Sequence, residues 1–306
     1  MEGILERISD GVLVFSAEGE ILRANRPLCR MLGLDPLGAE PQRILGALAG
    51  EADGRLDLLR QASRRGGRLP LDVRLPAGAG RRRLLISFAP LSEEITLGIA
   101  RDLTARARLE QETRLRACYQ QAMAALLASP DRQQSVDALL GAGVAILGRA
   151  RRVSRCYFFR NEAEDRRVTC VQEWLADGVE SFQQFSADHE ELSAWLCELQ
   201  ANRPIVGSDV VRDLPEEIHA ILRLQGVLSV LVVPLRIEGA LWGFLGLDEC
   251  FAQRQWSGLE VRLARTYAGL LAALLEPRLG PPSGRSGAPA PPPPTAAALD
   301  GGGARE

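Results

Sequence analysis

The period of the apolar positions changes several times along the chain, and each change predicts an element. Val227–Leu235 and Leu241–Leu247 are two apolar runs on either side of a short polar turn, Arg236-Ile237-Glu238-Gly239. That pattern predicts a β-hairpin with at least one buried face. The acidic pair Asp248-Glu249 closes the second strand. Trp256-Ser257 then introduces a helix whose Leu259, Val261, Leu263, Ala264, Tyr267, Leu270, Leu271 and Leu274 fall on one face. Upstream, Val136–Leu147 has helical spacing, Arg155–Arg160 and Arg167–Trp174 read as strands, and Glu216–Leu224 reads as a helix. Between them, Phe182–Leu214 is loop-rich, with a helix around Glu190–Leu199.

The first third of the chain has a pattern of its own. Ile4, Leu5 and Ile8 suggest a short amphipathic helix, Gly11–Phe15 a strand, Ala17–Glu20 a turn and Ile21–Ala24 a second strand. Asn25 opens a helix carrying Leu28, Cys29, Met31 and Leu32, with Pro27 tolerated in the first turn. A helix at Leu56–Ser63 follows. Strands Leu69–Leu75 and Arg82–Ala89 are joined by the glycine-rich Ala77–Gly80, and a last strand, Thr96–Ala100, runs into Arg101-Asp102-Leu103-Thr104. A helix rich in Arg, Glu, Gln and Ala then covers Thr104–Leu127. Its Leu115, Tyr119, Ala122 and Leu126 recur at 4-3-4 spacing, a short coiled-coil-like seam broken upstream by Arg108 and Glu112. Two readings stay open: a parallel dimer helix, or a helix packed on the domain that follows it.

These elements predict an α+β chain of two domains, each a five- or six-stranded antiparallel sheet with flanking helices. The expected boundaries are 1–104, a linker helix at 105–127, 128–277, and a disordered Pro/Gly-rich tail at 278–306 whose composition is too poor in apolar residues to fold.

At 306 residues, 46% hydrophobic and 25% charged, the composition suits two soluble domains that each bury a core. A net charge of −2 gives no reason to expect nucleic acid or an anionic membrane as partner. All 37 basic residues are arginine. The absence of lysine excludes Walker-type phosphate loops, Schiff-base chemistry and lysine-dependent kinase catalysis within this chain. Six cysteines are scattered without a CxxC or zinc-like spacing. The N-terminus is charged within its first six residues, and no apolar run reaches the roughly 20 residues that span a bilayer. A cytoplasmic setting with free thiols is the expectation.

DGVLVFSAEGEILRANRPLCRMLG resembles the start of a PAS domain, and GIARDLTARARLEQE is similar to the passage from a PAS domain into a signalling helix. That resemblance implies that Asp102 and Thr104 tie the domain to the helix leaving it. The order SRCYFFRN, VQEWL, NRPIVGSDVVRDLP, QGVLSVLVVPL resembles a GAF domain, a small-molecule-binding sensory module, along nearly its whole length. It implies a ligand pocket between the sheet and the irregular middle segment, with Trp174, Phe182, Trp195, Ile205, Leu228 and Ser229 nearest to it.

The resemblance also implies a sensor of bacterial two-component type that passes a ligand or redox signal through a dimeric helix to a histidine kinase, response regulator or cyclase. No output domain follows Leu275, so the output is expected on a partner, or the chain is the input part of a sensor kinase. The cofactor stays open, since no motif for haem, a flavin adduct or bilin attachment is present. The adjacent Cys-His pair of a bilin site is missing. The first 104 residues hold no histidine, and His189 and His219 read as solvated surface residues. Phe244 with Asp248-Glu249 matches part of a cyclic-nucleotide fingerprint, but in the wrong register, because the acidic pair ends a strand instead of beginning the last helix. Two alternatives remain: a thiol-dependent GAF-type reductase using Cys156 or Cys170, and a ligand-free dimerisation scaffold.

Overall fold

The computed structural model describes residues 6–36, 39–49, 55–75, 80–128, 135–181 and 185–279. Ile4, Leu5, Phe182, most of the Ala77–Gly80 turn and the tail from Gly280 lie outside them. The chain divides into two compact units, Met1–Ala117 and Cys118–Glu306.

In the first unit, β1 (Gly11–Ser16) and β2 (Ile21–Ala24) lead into α1 (Arg26–Met31), α2 (Pro41–Ala49) and α3 (Arg55–Arg65). Strands β3 (Gly67–Arg74), β4 (Arg81–Pro90) and β5 (Ile95–Asp102) complete an antiparallel sheet in the order β2-β1-β5-β4-β3. Its core gathers Leu13, Phe15, Leu28, Leu32, Leu48, Leu84 and Ile86. Asn25 starts α1 as expected, and it does more than cap. Its Oδ1 accepts from the Leu28 and Val12 N–H groups at 3.1 and 2.8 Å, and its Nδ2 donates to the Asp10 carbonyl at 3.0 Å. One buried side chain thus binds helix start and first strand together.

The helix α4 (Thr104–Leu127) follows β5 at once. The Thr104 N–H donates to Asp102 Oδ1 at 2.9 Å, the Arg83 N–H donates to Thr104 Oγ1 at 2.9 Å, and Arg82 Nη1 reaches Asp102 Oδ2 at 3.1 Å. The C-terminal part of α4 belongs to the second unit, where Tyr119, Ala122 and Leu126 are buried. Three of the four seam positions are therefore buried within the second unit, while Leu115 is half-buried in the first.

The second unit contains α5 (Val136–Arg151), β6 (Arg155–Glu162), β7 (Arg167–Leu175), β8 (Ser186–Asp188), α6 (Ser193–Gln200) and β9 (Ile205–Gly207). After these come α7 (Val210–Asp213), α8 (Glu216–Leu224), β10 (Ser229–Ile237), β11 (Ala240–Glu249) and α9 (Gly258–Leu275). The antiparallel sheet runs β8-β7-β6-β11-β10-β9. The hairpin turn is tighter than the four-residue stretch Arg236–Gly239 suggests. Ile237 pairs with Ala240, leaving Glu238 and Gly239 as the turn, with φ of 49° and 80°. Two left-handed central residues match the right-handed strand twist, and glycine adopts this conformation without strain.

Each face of this sheet is covered differently. Helices α5 and α9 pack on one face, where the Tyr267 hydroxyl donates to the Gly143 carbonyl at 2.9 Å and Leu271 lies against Gly143. The other face carries α6, α7 and α8 over a cluster that includes Tyr157, Phe159, Trp195, Leu199, Ile205, Val232 and Phe244. His219 corrects an expectation. It is buried with Ile218 and Leu222 on the inner arc of α8, its Nδ1 is 3.0 Å from the Leu214 carbonyl, and its Nε2 is 2.7 Å from the Glu216 carboxylate. His189 is half-buried, with Nε2 2.8 Å from Asn161 Oδ1. No helix among the described residues is long and apolar enough to cross a membrane.

Candidate functional site

Between the sheet and α6–α8 lies a small cavity lined by Tyr157, Phe159, Phe185, Leu192, Trp195, Ile221, Leu222, Gln225 and Phe244. The rings form a continuous wall. Phe159 stacks on Phe244 with centroids 5.2 Å apart, Tyr157 and Phe185 meet Phe159 edge-on at 5.2 and 5.8 Å, and Trp195 tilts against Phe244 at 6.4 Å. No charged side chain among the described residues lines the cavity. Trp195 is only 5% exposed, and its indole N–H has no hydrogen-bond acceptor among the described residues. A buried donor without an acceptor costs about 1–3 kcal/mol, which a bound acceptor would recover. The volume, about 30 Å3, holds little more than a water molecule. Three of the lining residues, Ile221, Leu222 and Gln225, come from α8 and the turn after it.

The wall depends on a glycine. Gly246 pairs with Tyr157 across the strands, and a Cβ at Gly246 would overlap the Tyr157 ring. The missing side chain lets the ring lie against the backbone with its hydroxyl pointing along the sheet. That hydroxyl donates to Asp248 Oδ1 at 3.2 Å, while Arg155 Nη1 donates to Asp248 Oδ2 at 3.2 Å and Arg155 Nη2 to the Glu180 carbonyl at 2.8 Å. Arg155 and Asp248 are wholly buried. Burial pushes the Asp248 carboxyl up to about 7, against the pull of Arg155 and Tyr157. Burial and the Asp248 charge together push the Tyr157 phenol well above its ordinary value, so it remains a donor.

Neighbouring residues on a strand point to opposite faces. Asp248 therefore serves the cavity face and Glu249 the helix face. Arg254 Nη1 donates to Glu249 Oε1 at 2.8 Å and Arg254 Nη2 to Glu260 Oε1 at 2.9 Å. Arg151 reaches the same Glu260 oxygen at 2.6 Å, and its guanidinium stands 5.3 Å over the Tyr119 ring on α4. The acidic pair thus straddles the sheet. On one side it holds the cavity wall; on the other it opens an ionic chain that ends at the linker helix.

Of the residues expected near the pocket, Trp195 lines the cavity and Ile205 belongs to the apolar cluster behind it. Trp174 stands on the opposite face, pressed on Gly148 of α5. The cause is a bulge: Phe158 pairs with Gln172 and Phe159 with Cys170, so Val171 is the extra residue and the alternation of β7 reverses beyond it. Leu228 is 37% exposed, and its carbonyl accepts from the Val210 N–H. The Ser229 hydroxyl donates to the Ser208 carbonyl at 2.7 Å and accepts from the Arg254 N–H at 2.8 Å, which makes it a loop staple. Tyr157, Phe159, Phe185 and Gln225 were not anticipated. Phe244 was noticed for a fingerprint when its place is in the ring wall.

Cys156 and Cys170 do not meet. Cys156 pairs with Trp174 and Cys170 with Phe159, so the bulge sends them to opposite faces. Burial pushes the Cys170 thiol up to about 12 and that of Cys156 higher still. Thiols held this far from ionisation are poor nucleophiles. Among the described residues, no group of three His, Cys, Asp or Glu side chains could hold a metal ion.

Residues 135–275 match the family model of the GAF domain, and residues 1–67 match a model of the PAS domain. The methanogenesis regulatory histidine kinase FilI of Methanothrix harundinacea is 34% identical over 183 residues, which are 56% of this chain and 20% of that protein. An uncharacterized protein of Azorhizobium caulinodans is 28% identical over 126 residues, 38% of this chain and 17% of that one. The chain spans about a fifth of the length of these curated relatives. Similar solved structures include a phycoerythrobilin-bound GAF domain from a cyanobacterial phytochrome, at 14% identity and a TM-score of 0.49, covering 53% of this chain and 97% of that one. The chromophore-binding domain of the Stigmatella aurantiaca bacteriophytochrome, at 15% identity and a TM-score of 0.49, covers 89% and 99%.

Proposed function

From a chain that carries a PAS domain followed by a GAF domain, we propose that this is a sensory input region in which the aromatic cavity takes a small uncharged ligand and α4 carries the response. The observation behind this reading is the acidic pair. Asp248 holds the cavity wall through Tyr157, and its neighbour Glu249 holds the ionic chain to Tyr119 on α4. A displacement of the wall moves one strand end and, with it, both networks.

The space enclosed by the described residues holds little more than a water molecule, so a larger ligand needs more room, and the side chosen to yield is α8 and the turn after it, which supply Ile221, Leu222 and Gln225. Binding and movement of α8 are then one event. The ligand's differential affinity for the open and closed arrangements supplies the switching energy, typically about 1–3 kcal/mol.

In this reading the protein works in the cytoplasm as a homodimer, and its partner is a histidine kinase, response regulator or cyclase. The likeness to a regulatory histidine kinase supports that placement. The opposite-facing, strongly raised thiols favour binding over thiol catalysis. Native mass spectrometry of the full chain purified from its host tests the ligand. A small extra mass that departs on unfolding, and is absent when Ile221→Trp fills the cavity, is the expected result. An extra mass that persists unchanged in Ile221→Trp would place the ligand elsewhere, and the bare polypeptide mass in every preparation would favour the scaffold.

A further inference from the structure

A second concavity lies wholly within the first unit, between the β3–β4 hairpin and the first half of α4. Its volume is about 430 Å3, within the roughly 300–1,000 Å3 of small-molecule sites. The hairpin side presents Arg81 and Arg83. The helix side presents Thr104, Arg108, Gln111 and Arg114, whose 4-3-3 spacing sets them on one helical face.

The charges there do not balance. Among the described residues, four guanidinium groups line the cleft against two carboxylates, Asp72 and Glu110. Both carboxylates are engaged. Asp72 is held by Arg83 through two hydrogen bonds of 2.9 and 3.2 Å, and Glu110 accepts from Arg106 at 2.9 Å, a residue outside the lining of this cleft. Arg81, Arg108 and Arg114 have no hydrogen-bonded or ion-paired partner among the described residues. Arg114 also lies near enough to Glu110 to help lower its carboxyl, but the three guanidinium groups, from two separate elements, line one hollow with an excess of positive charge among the described residues.

We propose that this cleft is a binding site for a small multivalent oxyanion, a phosphate ester or a polycarboxylate, with Arg81, Arg108 and Arg114 as the donors. Planar guanidinium forks match the paired oxygens of either group. The place gives the site a consequence. Thr104 lines the cleft, and its hydroxyl already joins β4 to the start of α4 by accepting from the Arg83 N–H. An anion held between Arg81 on the hairpin and Arg108 and Arg114 on the helix adds a second clamp across the same joint. This input is independent of the aromatic cavity.

Isothermal titration calorimetry of the full chain at low ionic strength, with pyrophosphate and citrate as separate probes, tests the site. The expected result is saturable one-site binding of at least one probe, weakened about tenfold or more in Arg108→Gln/Arg114→Gln. The same loss of charge at exposed helical positions, Arg149→Gln/Arg262→Gln, leaves it within twofold. Tighter pyrophosphate binding assigns a phosphate ester, and tighter citrate binding a polycarboxylate. Lack of saturable binding by either probe overturns the proposal, as does equal weakening in the control pair, which would show attraction by net charge alone. A shift of the monomer–dimer equilibrium by Arg108→Gln/Arg114→Gln without any probe effect would also overturn it, by giving the cleft to a second copy of the chain. Far-ultraviolet circular dichroism verifies that both variants fold.

Discussion

Replacing Arg254 by methionine removes the central link of the ionic chain while keeping most of its length. The wild-type side chain gives hydrogen bonds to Glu249 at 2.8 Å, Glu260 at 2.9 Å and the Arg151 carbonyl at 3.2 Å, and it lies 4.7 Å over the Trp256 ring. Removing one partner of a buried ion pair costs about 3–5 kcal/mol. Here each carboxylate keeps another donor, Arg151 for Glu260 and the Ser154 hydroxyl for Glu249, and Arg254 is 22% exposed. The expected loss is therefore smaller, about 2–3 kcal/mol. For a unit of this size that lowers Tm by roughly 4–12 °C. Urea unfolding followed by tryptophan fluorescence isolates the effect, because all four tryptophans (Trp174, Trp195, Trp242 and Trp256) lie in the second unit. A double-mutant cycle with Tyr157→Phe then measures coupling across the sheet, expected at about 0.5 kcal/mol or more. A loss for Arg254→Met below about 0.5 kcal/mol would reduce the chain to ordinary surface chemistry. Additivity in the cycle would refute the straddling role of Asp248-Glu249.

Gly246→Ala should displace the Tyr157 ring and cost about 1–3 kcal/mol in the same unfolding assay; an unchanged urea midpoint would mean that the ring does not need that gap. The folded value of about 7 for Asp248 lies above the ordinary carboxylate value near 4. Its contribution to stability is therefore fully present below about pH 4 and is lost as pH rises through about 7. Asp248→Asn should remove that part of the pH dependence, and equal slopes in the two proteins between pH 4 and 7 would contradict the assignment. In native thiol labelling at pH 8, exposed Cys197 should react first, and Cys156 and Cys170 only after unfolding. Either of those two labelling as fast as Cys197 would revive the reductase.

The hairpin at Ile237–Ala240, the cap at Asn25 and the helix Glu216–Leu224 were legible in the sequence because each rests on local chemistry: turn residues, a capping side chain, a helical period. Strands β8 and β9, three residues each, carry too few positions for a period and exist by pairing with a neighbour. Trp174 was placed near the cavity by its position in the GAF-like pattern, and a one-residue bulge at Val171 turns it to the opposite face. His219 read as polar surface beside Glu216 and Glu217, yet the buried arc of α8 runs through Ile218, His219 and Leu222, and only tertiary packing selects that arc. Asp248-Glu249 shows the limit most clearly. Its composition suggested a ligand fingerprint, whereas its chemistry follows from lying at a strand end with each carboxylate on a different face. The 4-3-4 spacing on α4 places Tyr119, Ala122 and Leu126 on a face that is buried within the second unit.

The proposed function requires that the state of the aromatic cavity be felt at the linker helix. Hydrogen exchange of the full chain, comparing wild type with Ile221→Trp, measures this directly, because the added indole fills the cavity as a ligand would. Altered protection is expected in residues 118–127 as well as around the cavity, with β1–β5 of the first unit unchanged. Altered protection confined to α8 and the cavity wall, with residues 118–127 identical in the two proteins, would contradict it.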